Sequence, residues 1–212
     1  MGRKLACDLA PIGAGLANLI NMYELHQNEQ YFFDERTLQQ LADFVSRFEN
    51  PCCLCAPLLG EAPVNRGRRV RILDIDTRFA SLPGFVLYEV QRPRWLGERF
   101  DLLVCDPPFY NVSLSRLFAA VRTLALNDYG QALLISYLRR RSPNVLGTFA
   151  PFRVRPTGYF PGYRTVEACE RNEIEFYGNL AEEQLASLLA AQKCDSLDGP
   201  VAAERSRRPG GR

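Results

Sequence analysis

The chain has 212 residues, 47% of them hydrophobic, which suffices for one full domain with a substantial core and short appendages but not for two independent domains. A formal net charge of +2 excludes nucleic-acid binding by bulk charge alone and leaves that role to local basic clusters. The seven cysteines are too scattered for a disulfide framework; Cys52, Cys53 and Cys55 are too closely spaced for a zinc ribbon, and His26 is the only histidine, so no metal site is expected.

At the N-terminus, Met1-Gly2-Arg3-Lys4 is followed by Asp8 and Pro11, which interrupt any apolar signal core, and no span long enough for a membrane follows. A soluble, cytoplasmic protein with reduced thiols is expected. Leu16, Leu19, Ile20, Tyr23 and His26 give a helical rhythm over about 15–28, entered through Gly13-Ala14-Gly15. That Gly-x-Gly follows no strand, so it reads as a helix entry rather than a phosphate loop. Residues 1–28 are thus expected to be an N-terminal helical extension, 29–191 the main domain and 192–212 a disordered basic tail ending in Arg205-Ser206-Arg207-Arg208 and Arg212.

Within the domain, the aromatic run Gln30-Tyr31-Phe32-Phe33 precedes Asp34, a candidate N-cap for a helix from about Glu35 to Phe48 with Leu38, Leu41, Ala42, Val45 and Phe48 on one side. Strands are predicted at Cys52 to Ala56, Val70 to Asp74, Phe85 to Val90, Phe100 to Cys105, Ala132 to Tyr137, Phe152 to Arg155 and Glu173 to Tyr177. Another helix carries Leu114, Leu117, Phe118, Val121 and Leu124. Seven strands, several of them nearly continuous apolar runs, predict an α/β fold with a mostly parallel sheet covered on both faces.

Two strand ends carry chemistry. Phe100-Asp101-Leu102-Leu103-Val104-Cys105 runs into Asp106-Pro107-Pro108-Phe109, where Pro107 fixes its own φ, forces Asp106 out of helical conformation and makes the loop rigid. The Asp106 carboxylate and the Pro107 carbonyl can each accept a hydrogen bond from a planar NH2 group, and Phe109 offers a face for stacking or for a cation. Leu73-Asp74-Ile75-Asp76-Thr77-Arg78-Phe79 places Asp74, or else Asp76, where nucleotide-binding sheets hold ribose hydroxyls, with Arg78 free to pair with either acid or with a cofactor carboxylate. The usual glycine-rich loop after the first strand is replaced by Ala56-Pro57-Leu58-Leu59-Gly60. This disfavours a dinucleotide dehydrogenase and suits a cofactor without phosphates, bordered by backbone amides near Ala56 and Leu58. Arg139-Arg140-Arg141 after the fifth strand, and Tyr159-Phe160-Pro161-Gly162-Tyr163-Arg164, mix cations with rings in a way that suits RNA, and equally fit a solvated turn and a packed loop.

In order, Gln30-Tyr31-Phe32-Phe33 with Thr37-Leu38, the Leu73–Phe79 segment and the Phe100–Phe109 segment resemble the probable N6-adenine methyltransferase family over roughly residues 28 to 180. That family includes CCHC-zinc-finger enzymes that methylate adenine in ribosomal RNA and relatives that methylate lysine on a translation elongation factor. The resemblance implies a Rossmann-like, seven-stranded class I methyltransferase fold with S-adenosylmethionine as cofactor. Asp106, Pro107, Pro108 and Phe109 would be catalytic. Phe32, Phe33, Ala56, Asp74, Asp76, Arg78 and Asp106 would hold the cofactor, while Phe109, Tyr110, Asn111, Arg139, Arg140 and Tyr163 would meet the substrate. Adenine N6 of RNA is the first expectation, ahead of DNA. A translation-factor lysine is the second, and a catalytically silent binding domain, prompted by the missing glycine loop, the third.

Overall fold

The computed structural model describes residues 22–65, 67–167 and 169–194. Seven strands, β1 (Pro51–Leu54), β2 (Arg71–Asp74), β3 (Phe85–Leu87), β4 (Leu102–Cys105), β5 (Leu133–Leu138), β6 (Arg155–Pro156) and β7 (Ile174–Gly178), form one sheet in the order β3-β2-β1-β4-β5-β7-β6. The pairs within β1–β5 are parallel, and β7 runs antiparallel to both β5 and β6. The predicted mostly parallel α/β sheet is therefore present. The strand order reverses between β1 and β4, so the crevice beyond their carboxyl ends is where this topology receives ligands.

Every residue of β1, β4, β5 and β7 is buried, as expected of strands covered on both faces. Alternation divides their side chains between two cores. Cys52, Leu54, Leu103, Leu133, Ile135 and Tyr137 pack with Leu117, Ala120, Val121 and Leu124 of helix α3 (Leu114–Leu124) and Val145 of α4 (Ser142–Thr148). Cys53, Ile72, Leu102, Val104, Leu134 and Phe176 pack with Leu41, Phe44 and Val45 of α1 (Glu35–Val45), Leu58 and Leu59 of α2 (Pro57–Asn65), and Leu188 of α5 (Glu182–Cys194). Burial pushes the Cys53 thiol up to about 12, so it behaves as a small apolar core group.

Local chemistry sets the element ends. Asp34 caps α1 by accepting from the Thr37 amide at 2.7 Å, as its sequence position predicts. The helix stops at Val45 rather than Phe48, with Ser46 as its C-cap. β3 ends at Leu87, three residues earlier than predicted. The strand predicted over Phe152 to Arg155 is absent: Ala150–Phe152 is a 3-10 turn, Arg153 adopts left-handed backbone (φ 55°), and only Arg155–Pro156 pairs with β7. Pro151 and Pro156 bracket the segment and remove backbone donors, which confines it to an edge.

The helix predicted over 15–28 lies largely outside the described residues. Its described end is not α-helical, for only His26–Asn28 forms a 3-10 turn before Glu29 turns left-handed (φ 53°). The first residues assigned to the tail, Gln192 to Cys194, instead complete α5, and the rest of the tail is outside the described residues.

Gly84, in left-handed backbone (φ 83°), brings its carbonyl to the Ile72 amide at 3.0 Å and starts β3 beside β2. A Cβ there would overlap the Val70 carbonyl oxygen. Gly84→Ala is therefore expected to destabilise the fold by about 2 kcal/mol or more, measured by urea unfolding.

Candidate active site

β1, β2 and β4 end together at one cavity of about 500 Å³, a size common for small-molecule sites. Its floor carries Asp74 from the end of β2 and Asp106 from just beyond β4. Cys55 and Ala56, after β1, form one wall. Cys55 takes left-handed backbone (φ 58°), a conformation glycine usually supplies, and its amide bonds to the Leu73 carbonyl at 2.8 Å. The tight turn after the first strand thus persists without the glycine loop.

Asp106 has lost much of its water but has no countercharge beside it among the described residues. Its Oδ1 accepts from the Tyr163 hydroxyl at 2.7 Å and from the Ser136 hydroxyl, and no described residue donates to Oδ2. Burial pushes its carboxyl up to about 7; the two hydroxyl bonds work against that rise, and the Asp74 charge adds to it. Asp74 is raised to about 6, again chiefly by burial, although it accepts the Asp76 amide at 2.8 Å. Two adjacent carboxyls that resist ionisation make the cavity ready for a cation or for N–H and O–H donors.

A strap from the N-terminal side closes the cavity. The Glu29 carboxylate accepts from the backbone amides of Tyr110 at 3.1 Å and Asn111 at 2.6 Å, clasping the loop that follows Asp106-Pro107-Pro108-Phe109. Gln30 donates to Asp76 at 2.9 Å and accepts from Arg78 at 2.6 Å. Phe32 and Phe33 are buried, line the cavity and belong to the core under α1. The Phe33 ring lies 5.0 Å from that of Tyr163, and the two residues form a backbone bridge.

Against the sequence expectations, the arrangement is uneven. Asp106, Pro107, Pro108 and Phe109 share the cavity with Phe32, Phe33, Ala56, Asp74, Asp76, Tyr110, Asn111 and Tyr163. Phe109 is half-buried, edge-on to Tyr137 at 5.0 Å, and Tyr137 donates to its carbonyl. Arg78 spends its guanidinium on Asp76, at 2.6 to 3.0 Å, and on the Tyr23 carbonyl at 3.1 Å, so it anchors the strap rather than facing a cofactor carboxylate. Asp76 is occupied by the same contacts, which leaves Asp74 as the ribose candidate. Arg139 turns to Glu173 at 2.8 Å and does not line the cavity. Arg140 stands at the mouth and donates to the Tyr110 hydroxyl at 2.7 Å. Tyr163, expected at the substrate rim, reaches Asp106 itself. Sequence reasoning missed Ser136 and Glu29. Ser136 was detectable as the one small polar residue in the fully buried β5, whereas Glu29 carries no local signal.

The sequence pattern of a protein family described as probable N6-adenine methyltransferase matches residues 24–194. The chain belongs to the probable N6-adenine methyltransferase family. Curated proteins give no significant match. Among solved structures, the branched-chain polyamine synthase from Thermus thermophilus is 18% identical, with 78% of this chain and 61% of that chain covered at a TM-score of 0.50. A magnesium protoporphyrin IX methyltransferase from Synechocystis is 11% identical over 68% and 79% of the two chains, with a TM-score of 0.46. A TehB-like methyltransferase from Corynebacterium glutamicum is 12% identical over 78% and 92%, with a TM-score of 0.48. The likeness is one of fold. Family and strand order together make this chain an S-adenosylmethionine-dependent methyltransferase of class I architecture.

The cavity of this family member fits that cofactor on its own chemistry. Its described lining holds five carboxylates, Glu29, Asp74, Asp76, Glu89 and Asp106, and no lysine, arginine or histidine. Such a lining suits a sulfonium and an amino group and offers no cationic side chain to a pyrophosphate. No described helix is long and apolar enough to cross a membrane.

The Asp106 shift gives a stability prediction. Its folded value, about 7, lies above the ordinary 3.8, so between those values the unfolded chain ionises while the folded chain keeps the proton. Stability is lost as pH rises through that window and stays lost above it. Asp106→Asn, which can still accept both hydroxyl bonds, should raise Tm at pH 8 and change it little at pH 4; equal effects at both pH values would contradict the assignment.

Proposed function

We propose that the protein transfers a methyl group from S-adenosylmethionine to the N6 amine of adenine in RNA, with ribosomal RNA as the first substrate class to examine. The carrying observation is the pairing of an acidic cavity with a cationic, aromatic mouth. Tyr110 is 62% exposed at the edge of the cavity, its hydroxyl bonded to Arg140, and the Arg141 guanidinium lies 5.6 Å from its ring centroid. Cations interleaved with an exposed ring suit a phosphate backbone and an unpaired base better than they suit a lysine side chain.

When bound, the cofactor supplies an electrophilic methyl group on a sulfonium. The chain's part is placement. Asp74 is the candidate for the ribose hydroxyls, and Phe32, Phe33 and Ala56 border the same cavity. Adenine N6 is a poor nucleophile because its lone pair is delocalised into the ring. Hydrogen bonds from its N–H groups to Asp106 Oδ2 and to the Pro107 carbonyl favour the pyramidal geometry that localises the pair. Phe109 offers a stacking face for an extruded base, a contact worth about 1–3 kcal/mol in single-strand binders. Asn111 borders the same entrance, and Arg140 supplies a phosphate contact. The free, buried thiols of Cys52, Cys53 and Cys105 fit a reducing compartment, and the cytoplasm is the one proposed.

The test is incubation of purified protein with radiolabelled S-adenosylmethionine and a cell extract, followed by separation of RNA from protein. Label should enter RNA and, after nuclease digestion, run as N6-methyladenosine. Label confined to protein would replace adenine with lysine as the acceptor, and no label in either fraction would favour a silent binding domain.

A further inference from the structure

We propose that Tyr163 and Ser136 are positioning residues for methyl transfer: both hydroxyls donate to Oδ1 of Asp106, favour the ionised carboxylate, and leave Oδ2 to accept from the acceptor amine. The proposal rests on reading the chain as an amino-methyltransferase, but not on which amine is methylated.

The two donors come from parts of the fold that have little freedom. Ser136 is fully buried in the middle of β5, opposite Phe176 of β7, so its hydroxyl is fixed by the sheet. Tyr163 arrives on the loop after β6 and is stitched to the strap on both sides. The Gly162 amide donates to the Thr37 hydroxyl at 2.9 Å, the Asp34 amide to the Gly162 carbonyl at 2.9 Å, and the Arg164 amide to the Phe32 carbonyl at 2.9 Å. These bonds tie the loop that carries Tyr163 to the strap and to α1, with the Tyr163 hydroxyl at Asp106.

The titratable groups that face Asp106 are all of the acidic kind: Asp74 from β2, Cys55 after β1, Cys105 immediately before it, and Tyr163 itself. None supplies a positive charge. The hydroxyl bonds from Ser136 and Tyr163 therefore stabilise the carboxylate against burial. The protonation state decides the chemistry. An ionised Asp106 accepts from the amine N–H and directs the nitrogen lone pair towards the methyl group. A protonated one would present an O–H donor to that lone pair, the electrons that have to attack.

The deciding experiment uses the full chain labelled with 13C at aspartate carboxyls and titrated by NMR, the Asp106 resonance being the one lost in Asp106→Asn. Tyr163→Phe keeps the ring against Phe33, and Ser136→Ala removes one oxygen from β5. Each should move the Asp106 midpoint upward by about one pH unit. The acid limb of methyl transfer, measured on whichever extract fraction takes label, should move with it while KM for S-adenosylmethionine stays constant. A midpoint that is unchanged or lowered in either variant overturns the proposal, as does a limb that fails to follow the midpoint. If the wild type labels neither RNA nor protein, the methyltransferase reading fails, and the NMR titration still decides the role of the hydroxyls.

Discussion

A carboxylate held at the end of a parallel strand without a countercharge is the constraint around which this structure is arranged. Asp106 sits where β4 delivers it, beside β1, at the reversal of strand order. Burial works against its charge, and a cation placed beside it would compete with a cationic ligand for the same oxygens. The fold instead supplies two neutral hydroxyls on one oxygen and leaves the other open. Strain of this kind costs stability and is retained where function needs it.

The rest of the site follows from keeping that carboxylate in place. Pro107 and Pro108 make the following loop rigid, and Glu29 holds the loop's Tyr110 and Asn111 amides from a segment far away in sequence. Asp76, Arg78 and Gln30 lock the same strap to the end of β2. Phe32 and Phe33 then serve two purposes at once, completing the core over α1 and walling the cavity. Carboxylates thus line the cavity, while Arg140 and Arg141 stand outside it around the exposed Tyr110 ring.

Much of this was legible in the sequence because the governing interactions are local. Continuous apolar runs predicted buried parallel strands, and Asp-Pro-Pro predicted a stop and a carboxylate at one strand's end. Asp34 predicted its own helix cap. What escaped was non-local. Tyr163 reaches an acid 57 residues away, and Glu29 reaches amides more than 80 residues away, so neither partner shows in a short window. Of the partners open to Arg78, the local one, Asp76, is the one it takes, and only the added tie to Gln30, 48 residues away, was out of sight. Arg139 looked free until the antiparallel pairing of β7 brought Glu173 beside it. The strand expected over Phe152 to Arg155 fails for a different reason, because Pro151 and Pro156 remove backbone donors on either side of it.

The claim that binds these parts together is that the acidic cavity takes S-adenosylmethionine with Asp74 as a binding group and Asp106 as a group for the chemistry. Calorimetric titration of S-adenosylmethionine into the wild type, Asp74→Ala and Asp106→Asn tests it directly. One-to-one binding should appear in the wild type, disappear in Asp74→Ala and survive in Asp106→Asn even though methyl transfer is lost. Absence of binding in the wild type, or undiminished binding in Asp74→Ala, would contradict the account.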